Sequence, residues 1–379
     1  MPKLARAAVQ TAANTIEIRE LPIPEIGPNE GLLRVEACGI CGSDVEFFRG
    51  NIGRPEMMPF IPGHEPLGVI EEIGVDAAKR WGVAVGDRVA VEIMRPCRQC
   101  DVCLMGRYQS CPNGDGGYGV TPLSREPSLW GGFADYLYLH PQAILHKIDR
   151  ELAPEVAVMF NPLGAGVRWV VEYGEVGLGT TVLILGPGQR GLMSVIAARV
   201  AGAGTIIVTG LSKDAEKLAL AREFGADYTI DVEQEDLLER VTEITDGKLV
   251  DVALELTPIA QQPVRDAIEA VRHGGRIVLA GLKGGAGIEL ATDRIINKAL
   301  TIRGAYGVDA ASYLQAIRII ESGKFPLHKM ASGQYDVTDT EAAIRAVGDH
   351  GAIHTCVVPG AQPVGDASAD RQKETVNVG

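Results

Sequence analysis

Apolar and polar positions follow two different patterns along the chain, and each pattern predicts its own architecture. Up to about Ile148, short β-rich segments such as residues 31–36, 66–73 and 87–92 are separated by glycine or proline. Frequent short strands of this kind are typical of a compact, barrel-like antiparallel body. From Thr180 onward, strand-like runs alternate with helical patterns. Such alternation predicts a parallel, doubly wound α/β sheet.

The pattern changes again after about Gly304. Helical patterns at residues 310–322 and 339–347 are followed by a strand-like run at 353–358, and we expect this part of the chain to rejoin the first domain. Residues 361–379 are polar and small with little to bury, so we expect a loose tail there.

Composition and charge narrow the classes of function. With 46% hydrophobic and 22% charged residues among 379, the chain has enough apolar material for a large core. The 36 basic and 49 acidic side chains leave a net charge of −13, which repels phosphate backbones and anionic lipids. No apolar run is long enough to span a membrane or to form a signal peptide. We therefore expect a cytoplasmic protein without nucleic-acid or membrane partners.

Four of the seven cysteines lie within fifteen residues: Cys97, Cys100, Cys103 and Cys111. Because the chain carries no export signal, a disulfide framework is not expected. Four thiolates at this spacing can close a tetrahedral site without an open position, which is the pattern of a structural zinc ion. An iron–sulfur cluster and ordinary packed cysteines are the alternatives.

A second group of metal-ligating residue types looks catalytic. Cys38 and Cys41 form a C-x-x-C pair, and His64 and Glu65 follow twenty-three and twenty-four residues after Cys41. A thiolate, an imidazole and a carboxylate can hold a metal while leaving one position for a substrate oxygen. Taken singly, the cysteines could be buried thiols and the histidine could be structural.

A glycine turn opens the predicted parallel sheet. Gly186, Gly188 and Gly191 form G-x-G-x-x-G, with Gln189 and Arg190 inside it, directly after a strand-like run and before a helical one. In this context the glycines permit a tight turn and the approach of a pyrophosphate to a helix N-terminus. The sequence therefore predicts a dinucleotide site.

The form of the dinucleotide depends on the end of the next strand. An acidic residue normally binds the ribose hydroxyls of NAD there, but this chain has Gly210. Without that charge a 2′-phosphate is tolerated, and Ser212 and Lys213 could hydrogen-bond it, which slightly favours NADP. Alternatively Asp214 caps the following helix and Lys213 is solvated, which leaves NAD and NADP equally open.

Together these motifs resemble the zinc-dependent branch of the medium-chain dehydrogenase/reductase family. The resemblance rests on residues 38–44, 63–65, 86–89 and 272–278, the four-cysteine segment and the glycine turn. It implies an α/β chain with a β-rich, GroES-like catalytic domain at 1–160 and 305–360, and a Rossmann domain for NAD(P) at 161–304. It also places the active site in the cleft between the domains.

The resemblance assigns roles to individual residues. Cys41 and His64 look like ligands of a catalytic zinc ion, with Glu65 either a ligand or directly behind the metal, and Ser43 as the proton conduit. Zinc polarises the substrate oxygen and favours the alkoxide, and hydride then moves to the nicotinamide. Asp44 either orients His64 by hydrogen bonding or caps the helix that starts there.

Three positions depart from the family pattern. Asn161 stands where relatives carry a further ligand or its neighbour, and a neutral amide is a poor zinc ligand. Glu46 replaces a histidine that ends the proton relay, and a carboxylate can still accept the proton. Arg190 replaces a small apolar residue near the nicotinamide, where it could hold the pyrophosphate, hold a substrate carboxylate or point to solvent.

The family implies a function and an assembly. We expect a zinc-dependent alcohol dehydrogenase that interconverts a small alcohol and its aldehyde or ketone with NAD or NADP, as a homodimer or homotetramer. One catalytic and one structural zinc ion are expected in each chain. A zinc-independent reductase of enones or quinones and a non-catalytic dinucleotide sensor are the competing interpretations. Residues 47–48, 93–94 and 129–130 are expected to line a partly apolar pocket, or else to be ordinary core.

Overall fold

The computed structural model describes residues 3–51, 57–349 and 351–362, which group into two units. The first unit takes the chain up to Cys97, Asn113–Val158 and the chain from Ala331. The second takes Arg98–Pro112 and Met159–Met330. Apart from residues 361 and 362, the expected tail lies outside the described residues.

Fifteen strands and twelve α-helices are described in this part of the chain. The strands are β1 (Leu4–Ala12), β2 (Thr15–Pro22), β3 (Gly31–Gly39), β4 (Pro66–Ile73), β5 (Arg88–Val91), β6 (Tyr136–Leu139), β7 (Leu145–Lys147), β8 (Thr181–Leu185), β9 (Thr205–Gly210), β10 (Tyr228–Asp231), β11 (Val250–Glu255), β12 (Val271–Leu279), β13 (Thr301–Gly304), β14 (Ala331–Tyr335) and β15 (His354–Val357). The helices are α1 (Gly42–Arg49), α2 (Val75–Trp81), α3 (Asp101–Leu104), α4 (Pro154–Ala157), α5 (Phe160–Val167), α6 (Gln189–Ala201), α7 (Ala215–Glu223), α8 (Leu237–Ile244), α9 (Gln262–Ala270), α10 (Thr292–Asn297), α11 (Ala310–Glu321) and α12 (Thr340–Gly348).

The first unit is built on a mainly antiparallel sheet with strand order β14-β15-β3-β4-β5-β7, and β6 pairs with β3. Strands β1 and β2 form a separate antiparallel pair. Inward-facing residues such as Leu33, Val89 and Leu137 are fully buried in one core. Strand β3 ends beside the start of β4, where Cys38 is in register with Pro66. The loops after β3 and before β4 are therefore held at the same end of the sheet.

The second unit is a six-stranded parallel sheet with the order β10-β9-β8-β11-β12-β13. Four of the five residues of β8 are buried, as expected for a parallel strand covered on both faces. Chain order reverses between β8 and β11, which is the switch point where open α/β sheets bind ligands beyond the carboxyl ends of the strands. The glycine turn follows β8 at this point.

Residues 98–112 and 305–330, assigned to the first domain from the sequence, group with the second unit. Tyr108 explains part of this grouping, because its hydroxyl accepts a hydrogen bond of 2.6 Å from the backbone of Ala310 at the start of α11. The side chain of Gln109 lies against Gly307. Helix α11 in turn packs on α5, where the ring centroids of Tyr313 and Phe160 are 5.6 Å apart.

Candidate functional site

Three predicted metal ligands of the first unit converge. One ligand atom each from Cys41, His64 and Glu65 lies within 4.8 Å of the others. All three residues are buried, with exposed fractions of 8%, 6% and 0%. Cys41 precedes α1 in an extended conformation, and His64 and Glu65 directly precede β4. Gly63 turns the chain before His64 with φ of +90°, a conformation that favours glycine.

Asp44 lies behind this group and is 1% exposed. Its Oδ1 lies 3.2 Å from His64 Nδ1, and its Oδ2 accepts a 2.8 Å hydrogen bond from the backbone N–H of Cys41. The two predicted roles of Asp44, histidine orientation and helix capping, are thus filled by the two oxygens of one carboxylate. With Nδ1 engaged, Nε2 is the nitrogen left to ligate a metal. The Ser43 hydroxyl lies 3.4 Å from that Nε2.

The electrostatics of His64 follow from these contacts. Burial alone would lower the pKa of His64, but the charge and hydrogen bond of Asp44, together with Cys41, raise it well above its ordinary value. The surroundings of the ring therefore favour positive charge. A divalent cation bound to Nε2 would meet the same favourable field.

His354 was not predicted from the sequence and lies beside Glu65. A Cβ atom on Gly39 would collide with Glu65 Oε2 and would come 3.1 Å from His354 Nε2, so both side chains lie over this glycine. His354 is 1% exposed. It reaches this place because β15 pairs with the end of β3, with Cys356 opposite Gly39. No local motif surrounds His354 in the sequence.

The four clustered cysteines also converge. The sulfurs of Cys97, Cys100, Cys103 and Cys111 lie within 4.8 Å of one another. The Sγ atoms of Cys100 and Cys111 are 3.7 Å apart, close to the edge of about 3.8 Å expected for a tetrahedron with Zn–S bonds of about 2.3 Å. None of the seven cysteines, all of them among the described residues, forms a disulfide. Both donor sets fit zinc: four sulfurs here, and sulfur, nitrogen and oxygen at the buried group.

The glycine turn has the local geometry of a pyrophosphate cradle. Gly186 has φ of +105°, and a Cβ on Gly191 would overlap the carbonyl oxygen of Gly186. A Cβ on Gly188, the residue before α6, would meet no described atom within 4 Å. No described side chain caps α6, and Gln189 Nε2 is buried without a described hydrogen-bond partner. Free space, uncapped N–H groups and an unsatisfied donor fit an anionic ligand.

The residues after β9 test the alternative roles that the sequence left open for Asp214 and Lys213. Asp214 Oδ2 accepts a 3.2 Å hydrogen bond from the backbone N–H of Leu211, so Asp214 caps the short turn at residues 212–214. The expected cap of the following helix is not found, because no described side chain caps α7. Ser212 and Lys213 are both exposed, and Gly210 is buried at the end of β9.

No helix among the described residues is long and apolar enough to cross a membrane.

Known proteins share this architecture. The chain matches the models "Alcohol dehydrogenase GroES-like domain" at residues 27–150 and "Zinc-binding dehydrogenase" at 191–322. It is 44% identical over 328 residues to a Mycobacterium tuberculosis protein named "Probable alcohol dehydrogenase adh", covering 85% of this chain and 89% of that protein. Identity to the sorbitol dehydrogenase of Bacillus subtilis is 35%, with 91% and 94% covered. A zinc-binding dehydrogenase of Sinorhizobium meliloti 1021, solved with NADP, aligns at a TM-score of 0.83 and 27% identity over 94% of this chain and 100% of that one.

The chain belongs to the zinc-dependent medium-chain dehydrogenase family. It is an oxidoreductase that acts on CH–OH groups. The predicted fold class, a β-rich GroES-like domain with a Rossmann α/β domain, is confirmed.

Asn161 stands where relatives carry a further metal ligand or its neighbour, and it is fully buried within the second unit. Its Nδ2 donates a 3.0 Å hydrogen bond to the hydroxyl of Tyr313. Arg190 donates to the Asn161 side-chain oxygen at 3.1 Å and to its backbone carbonyl at 3.2 Å. The Arg190 guanidinium also lies 5.7 Å from the ring centroid of Trp169. Arg190 thus contacts α5, and the Asn161 amide uses both ends in hydrogen bonds.

Glu46 stands where the family has its relay histidine, and its carboxylate contacts two residues near the C-terminal end of α1. Its carboxylate accepts a 2.9 Å hydrogen bond from the Asn51 side chain and lies 3.6 Å from the Arg49 guanidinium. Among the described residues, the structure does not bring Glu46 into hydrogen-bond contact with Ser43 or His64. Its part in proton relay stays a prediction.

The expected pocket residues divide into two groups. Phe48, Leu129 and Trp130 are 2%, 0% and 1% exposed and belong to the core of the first unit, which is the second of the two interpretations of these positions. The residues at 47, 93 and 94 are half-buried. Cys38 also belongs to this core, and its sulfur packs against Gly63 and Gly132.

Proposed function

We propose that this chain oxidises a small alcohol reversibly to an aldehyde or ketone, with hydride transfer to NAD or NADP and with catalytic zinc held by Cys41, His64 and Glu65. The proposal rests on one observation, the convergence of three buried donor atoms of suitable chemistry within 4.8 Å. In this proposal the first unit is the catalytic domain, and the second binds the dinucleotide at Gly186, Gly188, Gln189 and Gly191.

The residues around the donor atoms divide the work. Zinc, when bound, supplies a Lewis acid that polarises the substrate oxygen and makes its proton easier to lose. Asp44 holds the His64 ring so that Nε2 faces the ligand group. Ser43 is half-buried, whereas Cys41, His64 and Glu65 are buried, so its hydroxyl can take the substrate proton and pass it toward water. NAD or NADP, when bound, would supply the acceptor for the hydride.

Metal content and turnover test this proposal together. We expect about two zinc ions per chain, because a catalytic and a structural site need separate ions. Cys41→Ala should lose one ion and turnover, whereas Cys100→Ala should lose the other ion and lower the melting temperature. Cys38→Ala is the matched control, since Cys38 lies three residues from Cys41 but packs in the core.

Turnover is followed by cofactor absorbance across a panel of alcohols, polyols and aldehydes with NAD and NADP. Full activity of Cys41→Ala would refute the assignment of the metal site. About one zinc ion per chain, with reduction of enones or quinones only, would favour the zinc-independent reductase. Full zinc loading without turnover of any compound would favour the sensor.

We also propose that two copies of this chain associate along β13. This strand is the edge of the parallel sheet, and all four of its residues are exposed, including Ile302 at 37%. An exposed edge presents unpaired N–H and C=O groups to a second strand. Light scattering after size exclusion should give a dimer or tetramer for the wild type and a smaller species for Ile302→Asp. A wild-type monomer would refute the proposal.

A further inference from the structure

The end of β9 lacks the acidic residue of NAD-specific dehydrogenases, but the neighbouring strand supplies one at the same level. In the parallel pairing of β9 and β10, Asp231 is in register with Gly210. The backbone N–H of Val232 donates a 3.0 Å hydrogen bond to the carbonyl of Gly210, which extends the pairing past the strand end. Adjacent strands lie about 4.8 Å apart, so the Asp231 carboxylate is one strand spacing from the expected position.

Ser212, which was a candidate to bind a 2′-phosphate, gives its donors to carboxylates instead. Its hydroxyl donates a 2.6 Å hydrogen bond to Asp231 Oδ2, and its backbone N–H donates a 2.8 Å hydrogen bond to Glu233 Oε2. The N–H of Glu233 donates to Asp231 Oδ1 at 3.0 Å. Gln234 adds a weaker contact to the Ser212 hydroxyl at 3.4 Å. Two carboxylates are therefore fixed at the carboxyl edge of β9 and β10.

Two lysines, Lys213 and Lys217, follow Ser212 closely in the chain. Lys217 lies 3.1 Å from Asp214, so its charge is locally compensated. Lys213 is exposed and directly follows Ser212, so it could meet a phosphate. Asp231 and Glu233, which both accept hydrogen bonds from Ser212, carry the opposite charge to Lys213. A 2′-phosphate would bring close to two negative charges next to them, whereas ribose hydroxyls can donate to the same oxygens.

We infer that this chain selects NAD over NADP, and that Asp231 and Glu233, carried by β10 and its following loop, make the selection in place of the acid missing at Gly210. The inference rests on the proposed function, because it places the adenosine ribose at the end of β9 as in dinucleotide-binding α/β domains. It reverses the slight preference for NADP that the sequence suggested at Gly210.

Binding of NADH and NADPH to the zinc-loaded full chain tests the inference without requiring turnover. We expect wild-type protein to bind NADH at least about tenfold more tightly than NADPH, since a like-charge cost of about 1.4 kcal/mol already gives that ratio. In the double variant Asp231→Asn with Glu233→Gln the ratio of NADH to NADPH affinity should fall at least about tenfold, because NADPH binds more tightly without the like charges while NADH does not. Added salt should reduce the wild-type ratio, because the carboxylates are near the surface.

Glu239→Gln is the matched control. It removes one exposed carboxylate from α8, outside the hydrogen-bonded group of Ser212, Asp231 and Glu233, and the ratio should stay within about twofold of wild type because exposed charges are screened by salt. Lys213→Gln should likewise leave selection for NADH intact. Equal or tighter binding of NADPH by the wild type, or an unchanged ratio in the double variant, would overturn the inference.

The inference and the proposed function fail separately. A wild-type chain that selects NADH but oxidises no alcohol would refute the proposed function and support the inference. A chain that oxidises alcohols equally well with both cofactors would support the proposed function and refute the inference. Gly210→Asp is a poor test, because a Cβ there would lie 2.9 Å from Pro187 Cγ and 3.3 Å from Asp214 Cβ.

Discussion

The Asp44 carboxylate lies 3.2 Å from Nδ1 of His64, and neither side chain is more than 8% exposed. Its other oxygen closes the first turn of α1 through the Cys41 N–H. One buried carboxylate thus sets the direction of the histidine and the position of the cysteine. A carboxylate behind a metal-binding histidine fixes the ring and increases the basicity of the ligand nitrogen.

Asp44→Asn should weaken zinc binding at the Cys41 group by about 10–100-fold, the usual cost of losing such a supporting carboxylate. The amide oxygen can still accept from Cys41, so the variant removes the charge while keeping the cap. Zinc retained after dialysis against a graded chelator measures the effect. Asp214→Asn is the control, because Asp214 caps Leu211 in the same manner without contacting a histidine. Equal zinc retention by wild type and Asp44→Asn would contradict the prediction.

Arg190 and Asn161 should behave as one energetic unit. A double-mutant cycle of Arg190→Met and Asn161→Ala, measured by urea unfolding, should give a coupling free energy between about 0.5 and 3 kcal/mol, as for residues that share hydrogen bonds. The affinity for NAD should change little in Arg190→Met, because the guanidinium is directed to α5. Additive effects on stability, with a tenfold or greater loss of NAD affinity, would assign Arg190 to the pyrophosphate.

Asp336 should make the first unit sensitive to acid. Burial alone would raise the pKa of Asp336, but hydrogen bonds from Gly360 and Thr338, with the charge of Arg6, hold it below its usual value. The ionised carboxylate therefore stabilises the folded state above the pKa of the unfolded chain, about 3.9. This stabilisation is lost as the pH falls through the lower pKa of the folded state.

Asp336→Asn should lower the free energy of unfolding by about 1–3 kcal/mol at neutral pH. The difference from wild type should shrink as the pH falls below about 4, where the unfolded chain begins to bind the proton. Urea unfolding across this range measures it, with the exposed Asp293→Asn as a charge control. A difference that is independent of pH would show that the carboxylate acts through shape rather than charge.

Local sequence patterns predicted much of this fold. The predicted run at 66–73 is β4, and the helical pattern at 310–322 is α11 within one residue. Cys41, His64 and Glu65 could be predicted as a group because their residue types and spacing are dictated by metal chemistry. The glycine turn could be predicted because Gly186 needs a positive φ and Gly191 leaves no room for a side chain.

The structural features that the sequence did not indicate depend on contacts between segments that are far apart in the chain. His354 reaches Glu65 through the pairing of β15 with β3, and no local signal marks it. The proposed role of Asp231 in cofactor selection depends on its register with Gly210. Grouping of the segment 98–112 with the second unit depends on Tyr108 and its contact 202 residues away. Each depends on strand register or tertiary packing, which propensity and spacing do not encode.

The placement of His354 has a consequence for how this site is made during synthesis. Cys41, His64 and Glu65 are synthesised well before the histidine that lies beside Glu65, because that histidine is carried by β15, the last strand described. More than 280 residues separate Glu65 from His354 in the chain. A nascent polypeptide therefore cannot complete the surroundings of the Glu65 carboxylate until residue 354 has been synthesised, and a chain released before that residue would carry the three donors without their neighbour.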